Sequence, residues 1–233
     1  MKMISRLFPK KNPIPVIDLT FLPPNTDKIR GFRDESRVNT VVTHVTAVRG
    51  GFGPGSSRMQ KWQEELDQDT VDPSLLRQLK DFPPEDKAHL LALWERYSGL
   101  PYHWMAVPGI KSHVIHNLFP SVYSYHAGIG NKYSVGWALD CQYDEVLPDH
   151  LVEAAKVSLK RCIQEVRSAC QGTVFVQAHR QHSSMRGNDP GPIVWSRVVV
   201  PVVEEIPYAQ IRYDLSEGAG KPIPDSWTQL EEL

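Results

Sequence analysis

An α/β fold, a central mixed β-sheet flanked by helices in a single domain, is predicted from three features of the chain. Short apolar runs such as Val38–Thr43, Ser134–Cys141 and Thr173–Ala178 end in turn-forming or polar residues, the mark of buried strands. Longer segments, Asp86–Tyr97 and Asp149–Ala169, repeat apolar residues at helical spacing. The two kinds of segment interleave, and Tyr102–Val107 and Lys111–His116 lie close enough across Pro108-Gly109 to form a hairpin, which makes the sheet mixed.

The elements follow in order. Residues 1–37 hold five prolines and little periodicity, which predicts an extended N-terminal arm. Val38–Thr43 is the first strand and ends at His44. Gly50–Ser57 is a loop rich in Gly, Pro and Ser, followed by a polar helix over Arg58–Gln68. In Asp86–Tyr97, Leu90, Leu91, Leu93, Trp94 and Tyr97 form a broad apolar face, and Gly99 and Pro101 stop the helix. After the hairpin comes a loop with His126 and Gly128, then the strand Ser134–Cys141. Leu151, Ala155, Leu159, Ile163 and Val166 mark the helix Asp149–Ala169, with Asp149 placed to cap its free amides. Thr173–Ala178 is a short buried strand leading into His179, and Ile193–Val203 is apolar and helical up to Pro201. The domain proper is read as 38–205, and 206–233 as a wrapping tail.

Composition narrows the function. With 233 residues, 41% of them hydrophobic, the chain can bury a substantial core. A net charge of -1 and no basic run give no support to nucleic-acid binding. Cys141, Cys162 and Cys170 lack the paired short spacing of a zinc knuckle or redox motif and read as reduced core residues. The first eighteen residues are basic but broken by prolines, with no apolar run for a signal segment or membrane span.

Two histidines, His44 and His179, stand where predicted strands end, and strand ends mount ligands rigidly. Ten residues beyond His179 is Asp189, in the turn Asn188-Asp189-Pro190-Gly191, where the following proline restricts the backbone. Two imidazoles and a carboxylate suit Zn2+ and leave a fourth tetrahedral position for water, whose pKa would fall from about 15.7 to roughly 7. Taken singly, each histidine is more often a hydrogen-bonded structural group.

The segments Thr43-His44-Val45-Thr46-Ala47, Tyr102-His103, His126-Ala127-Gly128, Asn131 with Ser134-Val135-Gly136, and His179 through Asp189-Pro190-Gly191 occur together and in order. In this the chain resembles the type 2 N-acetylmuramoyl-L-alanine amidase family, which includes phage lysins, wall-recycling amidases and peptidoglycan recognition proteins. The resemblance covers roughly residues 38–203. It implies an amidase/peptidoglycan recognition protein-like domain, zinc on His44, His179 and Asp189, and hydrolysis of the bond between N-acetylmuramic acid and L-alanine. Peptidoglycan or a muropeptide would be the partner. It further implies that Tyr102 stabilises the oxyanion or orients water, and that His126 and Asn131 border the substrate groove. A non-catalytic peptidoglycan-binding module is the alternative the same fold allows.

The chain departs from the family pattern twice. Where many members carry a glutamate general base it has Ala138, with Asp140 two positions on and on the same strand face. Where a lysine often precedes the metal aspartate it has Gly187, and Arg186 and His182 are the nearby candidates for the lost cation. The stretch between His44 and Tyr102 is also longer than usual, with room for a lid or specificity loop. Lacking a signal segment, such an enzyme would act in the cytoplasm or reach the wall without Sec export, as phage lysins do. No oligomeric state follows from the sequence.

Overall fold

The structure, a computed structural model, describes residues 14, 16–23, 29–47, 57–82, 84–108, 112–142, 146–215 and 220–228. In chain order the strands are β1 (Val16–Asp18), β2 (Ile29–Phe32), β3 (Thr40–Val45), β4 (Trp104–Val107), β5 (His113–His116), β6 (Val122–Ser124), β7 (Ser134–Leu139), β8 (Val174–Ala178) and β9 (Ala209–Ile211). The helices are α1 (Ser57–Asp67), α2 (Pro73–Gln78), α3 (Pro84–Tyr97), α4 (Asp149–Cys170), α5 (Pro192–Val194) and α6 (Val200–Glu204). Seven strands form one sheet in the order β1-β5-β4-β7-β3-β8-β9, and β2 pairs with β6 in a small second sheet. The large sheet is mixed: β4 and β5 are antiparallel, with Trp104 opposite His116 and Val107 opposite His113, while β4, β7, β3, β8 and β9 run parallel. The α/β fold with a central mixed sheet is thus the one the sequence predicts.

Period-2 alternation divides the sheet's side chains between two layers of helix. Trp104, Ala106, Val135, Trp137, Leu139, Val41 and Val45 face α4, where Leu151, Val152, Ala155, Leu159, Ile163 and Val166 are all buried. Met105, Val107, Ile115 and Ala138 point the other way, onto Leu79, Leu91, Leu93 and Tyr97 from the α2–α3 layer. Each of the buried Val, Leu, Ile and Met side chains contributes roughly 1.5–3 kcal/mol by leaving water. The same alternation turns His44 to the α3 side of the sheet, beside Ala138, its register partner on β7.

Three expectations, for His44, Asp149 and Pro201, need correction. His44 lies inside β3 and not after it, because β3 continues to Val45 in register with Leu139. Asp149 does not cap α4; Pro148 occupies the cap position, and the Asp149 carboxylate instead accepts from Arg197 Nη2 at 2.8 Å. Pro201 does not end its helix. A π-helical stretch, Trp195–Val199, precedes it, so that Val200 N–H reaches back five residues to Trp195 O and the ring finds room at the start of α6. The predicted arm contributes β1, paired in parallel with β5 at the sheet edge, and β2. The predicted tail contributes β9 at the opposite edge and the buried Trp227. Cys141, Cys162 and Cys170 are free thiols. Most of the predicted Gly50–Ser57 loop and Gly109 of the hairpin turn lie outside the described residues.

Candidate metal centre

β3 and β8 are adjacent and parallel, so His44 near the end of one and His179 just past the end of the other emerge at the same edge of the sheet. The Asp189 turn folds back onto that edge. Asp189 N–H donates to Arg186 O at 3.1 Å, Arg180 N–H donates to Asp189 O at 3.0 Å, and Asp189 Oδ1 accepts from Val45 N–H at 2.8 Å. Its other oxygen, Oδ2, lies 2.8 Å from His179 Nδ1 and 3.7 Å from His44 Nδ1. One ligand atom from each of His44, His179 and Asp189 falls within 4.8 Å of the other two, a set able to hold a metal ion.

The donor chemistry fits zinc. His44 Nδ1 is fully buried and has no hydrogen-bond partner, a costly state for a polar atom unless a cation takes its lone pair. Burial, followed by the neighbouring His179, lowers the His44 pKa to about 4, so the ring is neutral at pH 7 as a ligand must be. Burial opposes ionisation of Asp189, but the hydrogen bond from His179 and the nearby His44 imidazole outweigh it and hold the carboxyl at about 2.

The remaining predicted residues gather around this cluster. The Tyr102 ring is 4.9 Å from the His44 ring, centroid to centroid. Gly136 makes that approach possible: a Cβ there would lie 3.0 Å from His126 Cγ and 3.1 Å from Tyr102 Cδ1. His182 is buried, and burial together with His44 and His179 lowers its pKa to about 3, so at pH 7 it carries no charge to replace a lysine. Arg186 is exposed on a single 3-10 turn, and its charge is felt at His44. Of the two candidates for the lost cation, Arg186 is therefore the charged one.

His126 and Asn131, expected along the substrate groove, are buried. Asn131 Oδ1 accepts from the amides of His126 and Ala127 at 3.0 and 2.6 Å, pinning the loop. The His126 ring directs Nδ1 at His44 Nε2, 3.3 Å away, and Nε2 at Ser134 O, 3.2 Å away. Asp140 is likewise committed: its carboxylate accepts from Tyr97 Oη at 2.7 Å and Thr46 Oγ1 at 2.6 Å, with Arg96 Nη2 at 3.6 Å.

Sequence reasoning missed Gln181. Its Oε1 accepts from Ala178 N–H at 2.8 Å, and its Nε2 donates to Arg212 O and Asp214 O at 2.7 and 3.1 Å, tying the His179 turn to the chain beyond β9. Gly220 packs against the same residue so closely that a Cβ would fall 1.9 Å from Gln181 O. A glutamine two residues after a ligand carries no motif signal; only the return of the C-terminal segment gives it partners.

Buried histidines make the metal-free fold acid-sensitive. His44, His103, His126 and His182 all have pKa values below the ordinary 6.5, chiefly through burial. The unfolded chain therefore takes up protons first, so stability is full above about pH 6.5 and is lost as the pH falls toward about 4 for His44 and about 3 for His103 and His182. The slope is at most about 1.4 kcal/mol per pH unit for each histidine. Thermal unfolding of the metal-free protein from pH about 7.5 to about 4 is expected to show a steadily falling Tm, and a flat profile would contradict this assignment.

Fold and site together define a class: an α/β domain carrying a His, His, Asp cluster at the exit edge of parallel strands. No family model matches the chain, and no curated protein matches it. Among solved structures it is similar to Drosophila peptidoglycan recognition protein SD, at 18% identity over 88% of this chain and 100% of the other, with a TM-score of 0.48. It is also similar to the N-acetylmuramoyl-L-alanine amidase LysC from Clostridium intestinale URNW, at 16% identity over 79% and 90% of the two chains, TM-score 0.41. A third is AmpD, at 16% identity over 79% and 91%, TM-score 0.43. No helix among the described residues is long and apolar enough to cross a membrane.

Proposed function

We propose that the protein is a zinc-dependent N-acetylmuramoyl-L-alanine amidase, hydrolysing the amide that joins the muramic lactyl group to the first L-alanine of the stem peptide. The observation that carries this reading is the convergence of His44, His179 and Asp189 within 4.8 Å, from positions far apart in the chain. The ordered motifs of the sequence, which resemble those of type 2 amidases, supply the substrate. A zinc ion in this cluster would act as Lewis acid toward the scissile carbonyl and acidify a water molecule.

The chain's own residues do the rest. Asp189, fixed by Val45 N–H, keeps its carboxylate aimed between the two imidazoles. Tyr102, whose ring lies against His44, would donate a hydrogen bond from its hydroxyl to the developing oxyanion, and Arg186 would supply positive potential. Ala138 stands beside His44 where many members of the family it resembles carry a glutamate, so the side chain at this position supplies no general base. For Tyr102→Phe we expect kcat to fall by about 10²–10³, the usual cost of one oxyanion donor, with zinc affinity unchanged. Equal kcat in the two proteins would remove Tyr102 from the reaction.

Metal analysis, followed by mass spectrometry of purified sacculi digested with and without chelator, tests the whole reading. The expected products are glycan with free lactyl carboxylates and intact stem peptides beginning with L-alanine, formed only when zinc is present. Cleavage elsewhere in the stem would indicate a peptidase. Binding to sacculi with no chelator-sensitive cleavage would indicate a recognition module.

A further inference from the structure

The histidine between Tyr125 and Ala127 has no exposed ring nitrogen to offer a substrate, and its two contacts determine which nitrogen carries its proton. On one side, Nε2 faces two oxygens of the same residue: Ser134 O at 3.2 Å and Ser134 Oγ at 3.4 Å. The hydroxyl proton of Ser134 is already given to Gly130 O at 2.7 Å, so both oxygens can only accept. His126 Nε2 must therefore bear the hydrogen. With the hydrogen on Nε2, the neutral imidazole has Nδ1 as its acceptor, turned toward His44.

The consequence passes to His44. Its Nε2 lies 3.3 Å from His126 Nδ1, and two nitrogen lone pairs would repel at that distance, so His44 Nε2 is the donor. His44 Nδ1 is then bare. This is the buried atom without a hydrogen-bond partner, and it faces Asp189 Oδ2 at 3.7 Å, one lone pair toward another, an arrangement that a cation between them reconciles.

We propose that His126 is a positioning residue: anchored by Ser134 O, it holds the His44 Nε2–H in a hydrogen bond and so presents the His44 Nδ1 lone pair to the metal. This rests on the metal-centre reading above and names the support behind one of its ligands. Outer partners of metal-bound histidines are ordinarily a carboxylate, a carbonyl or water, each fixing ring and tautomer. Here a second imidazole fills that place, and the carbonyl stands one step further out. Without it, His44 is free to carry its proton on Nδ1 toward Asp189, and that proton must be expelled before a metal binds.

Nitrogen-15 NMR of the metal-free wild-type protein reads the tautomer directly, and competition against a fluorescent chelator reads the zinc affinity of wild type, His126→Phe and His126→Asn. Expected are a His44 protonated on Nε2 in wild type, a shift of that proton to Nδ1 in His126→Phe, and zinc binding weakened about 10–100-fold in the phenylalanine variant. His126→Asn, whose amide oxygen falls near the place of Nδ1, should recover most of that loss. A wild-type His44 protonated on Nδ1, or a folded His126→Phe that binds zinc as tightly as wild type, would overturn the proposal. Should His126→Phe fail to fold, the wild-type tautomer and the asparagine variant decide. A wild-type protein with the expected tautomer but no zinc affinity would instead bring down the metal-centre reading.

Discussion

Replacing His179 with alanine is expected to abolish both zinc retention and the release of stem peptides from sacculi. The imidazole supplies one of three ligand atoms that lie within 4.8 Å of one another, and it also holds Asp189 Oδ2 through a 2.8 Å hydrogen bond. Its removal leaves two ligands, one of them a buried carboxylate with its partner gone. The loss in zinc affinity should exceed the roughly 10–100-fold seen when only an outer partner is removed. The fold should survive, since His179 stands at the end of β8 and contributes no backbone pairing through its ring. Circular dichroism separates the two effects, and a folded variant that keeps both zinc and hydrolysis would defeat the assignment.

Asp140→Asn is expected to do the reverse, lowering stability sharply while leaving zinc affinity in place. The carboxylate is fully buried and accepts from Tyr97 Oη and Thr46 Oγ1, with Arg96 Nη2 nearby. An amide cannot accept on both oxygen positions, so one donor loses its partner and the Arg96 charge loses its counterion. Breaking a buried pair in this way costs about 3–5 kcal/mol. For a chain of this size each kcal/mol shifts Tm by roughly 2–4 °C, so a drop on the order of 10 °C is expected in a thermal melt. If hydrolysis alone were lost, with Tm unchanged, Asp140 would instead be standing in for the missing glutamate.

The contrast between these two residues shows what kind of information the chain carries locally. His44, His179 and Asp189 were legible because each belongs to a short motif whose neighbours are themselves constrained: apolar strand residues before the histidines, a turn around the aspartate. Asp140 was legible as being on the face of Ala138, since strand alternation is a local rule. Its partners were not, because Tyr97 arrives from α3 and Thr46 from the end of β3. Likewise the strand nature of β3, β7 and β8 follows from short apolar runs bounded by turn-forming or polar residues, and the helical nature of α3 and α4 from helical periodicity. The short strands β1, β2, β6 and β9 do not, since three or four residues of extended chain have no signature until a neighbour pairs with them.

Residue type and spacing by themselves determined the α/β class and the two-sided burial of the sheet, and together with the resemblance to a known family they nominated three side chains for a metal. Tertiary structure alone decided that the first and last segments close the sheet's edges, that Pro201 lies within a helix behind a π-turn, and that His126 faces His44 and not the solvent. The physical reason is common to all three. Backbone alternation and helical period act within a few residues, whereas a hydrogen bond such as Ser134 O to His126, or His126 to His44 across 82 positions, exists only once packing has brought its donors and acceptors within reach.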